Sequence, residues 1–391
     1  EIKANHQDAF LFFRLGDFYE LFYEDAIKAA QILEITLTQR DANQENPIPM
    51  CGVPYHAAEN YIKKLIDKGY KVAICEQVED PKKAVGVVKR EVVQVITPGT
   101  VMEQTMLPET DSNYIASLSH FEDGSFVIVY NELSTGENSL ILIETGWDLV
   151  IHELFNRNIK EIVIDSHLLE SHQVDLKQKL QCTISYQDEV NFNGEFRDLY
   201  NHLNDKRYVH AFCRLLNYLQ QTQKRSLDHL QPAQIVELKD YLALDMYSKR
   251  NLEIIETNIS QETKGSLLWV LDRTVTAMGA RTLKKWLERP LLNKQGILNR
   301  LEIVQGFYDH FLERDEIRSN LRSVYDIERL AGRIAFGNVN ARDLIQLRKS
   351  LEKIPLIKAT LSDLNHPNID DLNGQLTYPE ELVQLLEKSI M

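Results

Sequence analysis

Apolar and polar positions divide the chain into three stretches of different rhythm. Ala9–Leu15 (AFLFFRL) is a short apolar run without helical spacing, which predicts a buried strand. Gly16-Asp17 breaks it. Apolar residues then fall at Phe18, Leu21, Phe22, Ala26, Ala29, Ala30 and Leu33, a period that predicts a helix beginning at Phe18. A polar, proline-bearing loop follows over 40–56 (RDANQENPIPMCGVPYH), then a helix over 57–68 and strands within GYKVAICEQV and VKREVVQVIT. Residues 1–97 therefore read as a small mixed α/β domain. TPGT at 97–100 is a turn and marks a boundary. YIASLSH, FVIVYN and SLILI are strand-like runs joined by the hairpin signals Asp123-Gly124 and Ser134-Thr135-Gly136. A helix over 147–157 leads into the strand IKEIVID. Residues 98–235 thus predict a mixed sheet with helices on its faces. A helix over 208–222 carries Val209, Phe212, Leu215, Leu216 and Leu219 on one side. After the break at Gln231-Pro232, residues 236–391 are helical almost throughout, with Pro290 ending one helix. The fold class expected is multidomain α+β, with two α/β parts and an all-α segment.

Composition adds a constraint on partners. The chain has 391 residues and a net charge of −14, which at first argues against nucleic acid. The acid is unevenly placed: net −3 over 1–97, −11 over 98–237 and 0 over 238–391. The middle would be a poor DNA contact, but the two ends are not excluded. The middle segment is a solvated acidic face or a docking surface for a basic partner. No apolar run is long enough to span a membrane, and the start carries no signal-peptide pattern. The first residue is Glu1 rather than Met, which reads as a trimmed chain. Cys51, Cys75, Cys182 and Cys213 are scattered without metal-ligand spacing and read as reduced thiols of a cytosolic protein. The glycine-rich phosphate loops, Gly-x-Ser-x-Gly and HExxH are absent, and the histidines, His6, His120 and His152 among them, do not cluster. A mixed sheet of this kind can be ribonuclease H-like, and such nucleases need carboxylates on central strands to hold Mg²⁺. The 114–120 strand has none, and Glu132 and Glu137 flank turns. No catalytic residue, cofactor or metal ligand is nominated.

The stretch RLGDFYELF (14–22) has two readings. In one, Asp17 caps a helix, Glu20 closes a capping box, and Phe18 and Phe22 are core. In the other, Phe18 and Glu20 are held outward from the start of that helix, where phosphates are favourably met. A flat ring there could wedge between base pairs from the minor groove, with a carboxylate beside it to accept a hydrogen bond from a base.

The segments GDFYELFYEDA, TLTQR, PIPMCGVPYHAAENY, VAICEQVEDP and VITPGT, in that order, resemble the N-terminal mismatch-binding domain of the MutS DNA mismatch-repair family. LDMYSKRNLEI and LLWVLDRTVTAMGARTLKKWLERPL resemble the start of that family's helical core. The resemblance implies a mismatch-recognition domain over 1–97, a ribonuclease H-like connector without nuclease activity over 98–235 and part of a lever-like helical core over 236–391. It implies that Phe18 stacks on a mispaired or unpaired base and that Glu20 hydrogen-bonds to it. Arg40, Met50, Tyr55, His56 and Arg90 become candidates for further DNA contacts. The implied partners are mismatched double-stranded DNA and, through the connector, a MutL-type protein, in a cytoplasmic, nucleoid-associated setting. The family's clamp and its ATPase, with ATP and Mg²⁺, lie beyond the matching segments. This chain is then expected to be no enzyme and to hold no cofactor. The homodimer of the full-length family would be reduced to a monomer or weak dimer. The competing reading is an interaction scaffold acting through its acidic middle, with DNA contact incidental.

Overall fold

In the computed structural model, which describes residues 2–40, 46–79, 88–103, 105–192 and 194–390, the first apolar run forms strand β1 (Ala9–Leu15) as its pattern requires. The next segment departs from expectation. Phe18–Phe22 is a strand, β2, paired antiparallel with β1, and helix α1 (Tyr23–Leu33) begins only after it. The helical period holds for Ala26, Ala29, Ala30 and Leu33, which are buried, but the helix does not extend back through Phe18–Phe22. Backbone pairing on both sides of β2 outweighs that local rhythm. The predicted cap and capping box are therefore corrected. Asp17 lies in a hairpin loop, and Glu20 sits mid-strand.

The 40–56 segment, expected as a loop, also holds structure: β3 (Thr38–Arg40) reaches its start, and β4 (Ile48–Pro54) pairs with β2. Pro49, Gly52 and Pro54 hide β4 in the sequence, because proline and glycine ordinarily argue against a strand interior. Helix α2 (Ala58–Asp67) and strands β5 (Lys71–Gln77) and β6 (Arg90–Ile96) agree with the pattern. Together they make a six-stranded sheet in the order β3-β4-β2-β1-β5-β6.

The second sheet follows the predicted plan. Strands β7 (Ile115–His120), β8 (Phe126–Glu132) and β9 (Glu137–Ile143) form an antiparallel meander. After helix α3 (Trp147–Asn156), β10 (Glu161–Ile164) adds parallel to β7. After helix α4 (Glu170–Lys179), β11 (Thr183–Tyr186) adds parallel to β10. The resulting order, β11-β10-β7-β8-β9, is that of a ribonuclease H-like sheet. A short helix α5 (Arg197–Tyr200) precedes α6 (Lys206–Gln223), whose apolar side is buried. Glu1–Pro108 and Asn113–Gln234 form one compact unit. Glu109–Ser112 and Ile235–Met391 form another, which is helical. Within the helical unit, buried Arg281 donates to Asp326, Glu328 and the Glu109 carbonyl, which fastens the 109–112 segment to that unit.

One buried side chain gathers several of the bonds that join the two sheets of the first unit. Glu161, on a central strand of the second sheet, is fully buried. It accepts from the Thr97 hydroxyl, from Gly99 N at 3.1 Å, and from Ser185 Oγ and Tyr218 OH at 2.5 Å each. A Cβ at Gly99 would lie 2.8 Å from the Cβ atoms of Glu161 and Ile115, so only glycine lets the 97–100 turn come this close. The end of α6 supplies further ties to β6. Gln223 Nε2 donates to Val95 O at 3.3 Å, and Lys224 Nζ donates to Val92 O at 3.0 Å.

Burial, the leading cause in each case, holds His6, His172, His210 and His229 below the usual imidazole range. His229 is the most enclosed, with Nε2–H donating to Leu133 O at 2.7 Å. Below about pH 6.5 the unfolded chain therefore binds more protons than the folded one, and stability falls with pH through that window. The expected result is a lower melting temperature for this unit at about pH 5.5 than at about pH 7.5, followed by circular dichroism. Replacing His229 with Gln should flatten the dependence. An unchanged melting temperature would contradict it.

Candidate nucleic-acid interface

The candidate site is built on the β1–β2 hairpin. Leu15 pairs with Phe18 and Arg14 with Tyr19, which leaves a two-residue loop, Gly16-Asp17. Gly16 takes φ +58°, the conformation that a tight hairpin asks of its first loop position and that glycine adopts without strain. Side chains then alternate along β2. Tyr19 and Leu21 enter the core, while Phe18, Glu20 and Phe22 take the other face. Phe18 is 46% exposed, at the first strand position beside the loop. The ring is thus presented by a hairpin tip, and the helix N-terminus invoked from sequence has no part in it.

Several other side chains share the Phe18 face. On β4, Gly52 lies opposite Glu20 and Met50 opposite Phe22. A Cβ at Gly52 would stand 3.6 Å from Glu20 Cγ and 3.7 Å from Phe18 Cδ1, so this glycine leaves an open floor between the two. Arg40 Nη1 reaches Glu20 Oε2 at 4.0 Å, and its guanidinium lies 5.8 Å from the Phe22 ring. Met50, on the same face, is half-buried.

The other nominated residues are placed differently. Tyr55, 52% exposed, stands on the Tyr19 side of the hairpin, with the two ring centroids 6.3 Å apart. Its backbone N–H donates to Asp17 O at 2.8 Å. His56 is exposed in the same short 3-10 turn, Tyr55–Ala57. Arg90 is engaged internally. Nε donates to Arg14 O at 3.1 Å, Nη1 donates to Val88 O at 2.9 Å, and the guanidinium lies 5.2 Å from the Phe13 ring. Phe18, Glu20, Arg40 and Met50 are therefore brought together, Tyr55 and His56 flank the loop, and Arg90 braces the hairpin from behind. Tyr19 anchors the core side, its hydroxyl bonded to Glu76. Burial, reinforced by that carboxylate, pushes its pKa well up.

Sequence reasoning passed over Arg14 and Gly52. Arg14 is the one cation in the β1 run, and a charged residue just before a Gly-Asp turn was a usable signal. Gly52 had no signal until β4 was recognised as a strand. Glu161, an acid on a central strand of the ribonuclease H-like sheet, was also missed, but its oxygens are taken up by the contacts described above. One other group could in principle hold a cation: ligand atoms of Asp165, His167 and Asp188 lie within 4.8 Å of one another. Asp165 is already ion-paired with Arg214 at 3.0 Å, and Asp188 accepts from Ser166 N and Oγ at 2.7 and 2.8 Å. Those bonds account for the cluster without an ion. All four cysteines are free, and burial pushes the thiols of Cys51, Cys75 and Cys213 up to about 11 and that of Cys182 to about 12, out of the reactive range. Among the described residues, no helix is long and apolar enough to cross a membrane.

Comparison with known proteins agrees with the resemblance read from the motifs. Residues 1–105 match the family described as MutS domain I, residues 113–231 MutS domain II, and residues 248–391 MutS domain III. The whole chain is 68% identical to a DNA mismatch repair protein MutS of Oceanobacillus iheyensis, of which it covers 45%. It is 55% identical to the protein of that name in a Geobacillus species, again covering 45%, and 50% identical to that of Bacillus cereus, covering 44%. The chain thus spans less than half the length of these relatives. With three domains matched in succession and identity of this degree sustained from end to end, the chain belongs to the MutS family.

Proposed function

We propose that this chain is the mismatch-reading part of a DNA mismatch repair protein. In this reading residues 1–97 read the duplex, residues 98–235 connect, and residues 236–391 begin a helical lever. The observation that carries it is the exposed Phe18 ring at a hairpin tip, with Glu20 two residues on along the same face. Phe18 enters the minor groove and wedges into a base step. Unstacking such a step costs a few kcal/mol, roughly, and a mispair or an unpaired base has already lost part of that stacking. Preference thus arises from the deformability of the DNA. Glu20 fixes the wedged site by a hydrogen bond to the displaced base. Arg40, 4.0 Å from Glu20, offsets the charge that this carboxylate brings toward the phosphates. Arg40, Tyr55 and His56 contact the strands on either side. The acidic connector offers a docking surface to a MutL-type protein.

The test is fluorescence anisotropy at low salt, comparing a duplex bearing a G·T pair or one unpaired base with its matched control. Tighter binding of the defective duplex is expected, and equal affinities would overturn the reading. A further prediction concerns Glu20→Gln. Removing one negative charge close to the phosphate backbone should tighten binding to matched DNA severalfold, so the preference narrows from the matched side. If matched affinity is unchanged or weaker in that variant, Glu20 does not face the duplex.

A further inference from the structure

We infer that Arg14 is the positioning residue that fixes where Phe18 stands, an assignment that rests on the function proposed above. Arg14 occupies the last position but one of β1, opposite Tyr19. Its Nε–H donates to Gly16 O at 2.6 Å. Its guanidinium lies 3.7 Å from the centroid of the Tyr55 ring and 5.5 Å from that of Tyr19. The Tyr55 backbone N–H donates to Asp17 O, the carbonyl of the other loop residue. Both loop carbonyls are therefore held, one by the Arg14 side chain and one by the Tyr55 main chain, and the same Arg14 is stacked on Tyr55. Arg90 adds a third strap by donating to Arg14 O at 3.1 Å.

Phe18 is the next residue after the loop, so its ring inherits whatever angle the loop takes. Packing does not set that angle from the Gly16 side, since a Cβ there would meet nothing within 4 Å. The Arg14 clamp does. A lysine cannot replace it, because the clamp uses a directed Nε–H together with a planar cation lying on a ring. The rival role for an arginine at this tip is simple phosphate contact, and the two roles differ in what they do to specificity.

The experiment measures the affinity of the chain for mismatched and matched duplexes over a series of salt concentrations, for wild type, Arg14→Lys and Arg14→Met. As a positioning residue, Arg14 sets the affinity ratio between the two duplexes. Both variants should lose about tenfold of that ratio while the slope of log affinity against log salt stays at the wild-type value. The assignment is overturned if Arg14→Lys keeps the ratio, or if Arg14→Met weakens both duplexes alike and lowers the slope by about one, the signature of a lost phosphate contact. A double-mutant cycle with Tyr55→Leu checks the stacking itself. The combined loss should be smaller than the sum, because either change alone releases the same clamp, and additive losses count against it. A wild-type ratio of one removes the proposed function and this assignment together. A normal wild-type ratio that survives both Arg14 substitutions removes the assignment alone.

Discussion

Phe18→Ala is expected to erase the proposed distinction between mismatched and matched duplexes and to leave the fold almost as stable as before. Both halves of this expectation come from where the ring sits. At 46% exposure it contributes little to the core, so truncation should cost about 1 kcal/mol or less, and melting should stay cooperative. Base–aromatic stacking is worth about 1–3 kcal/mol per base, so the loss in mismatch affinity should be roughly five- to 150-fold. Matched DNA, which resists the wedge, should be bound much as before. Anisotropy titrations beside a thermal melt decide the matter. A large fall in melting temperature with the preference retained would return Phe18 to the core and end the reading. Phe18→Trp is the informative companion, since it keeps a flat ring at the tip and should keep most of the preference.

The second large effect is on stability. Replacing Glu161 with Ala should destabilise the first unit by about 3–5 kcal/mol. The carboxyl group accepts from two residues of the 97–100 turn, from β11 through Ser185 and from α6 through Tyr218. Truncation removes the shared acceptor from a dry interior: Tyr218 OH and the Thr97 hydroxyl keep a second partner in Ser185 Oγ and Thr100 Oγ1, and each donor left unpaired costs about 1–3 kcal/mol. Glu161→Gln should also destabilise, because the amide nitrogen replaces one of the two oxygens that accept from Gly99 N–H and the three hydroxyls. Urea unfolding should show a lower midpoint with an unchanged slope. Thr97→Val, which removes one of the four partners, should show a smaller shift in the same direction. A wild-type midpoint for Glu161→Ala would mean that water or rearrangement satisfies the site.

What the sequence disclosed follows from how local each feature is. The runs that became β1, β5 and the β7–β9 meander could be read because their patterns are set by burial of the segment itself. Phe18–Phe22 could not be read that way. Leu21 and Phe22 continue the spacing of the helix after them, and only pairing with Leu15 on one side and Pro54 on the other makes the segment extended. β4 was masked by its own prolines. Phe18 and Glu20 entered as candidates through the motif, and periodicity alone favoured burying the ring. Arg14 and Glu161 act through contacts that folding creates, such as Thr97 to Glu161, 64 residues apart, and no local signal marks such pairs.

The bend at 97–100 has a mechanical consequence. A proline-glycine turn between two sheets invites comparison with a hinge, yet here its residues Thr97 and Gly99 are tied to Glu161, and the end of α6 ties down the preceding strand β6. On the function proposed above, strain reaching the first sheet from a bent duplex would therefore meet a braced joint here. Such strain is handed on to the second sheet through the Glu161 bonds, which couple the two sheets within one compact unit.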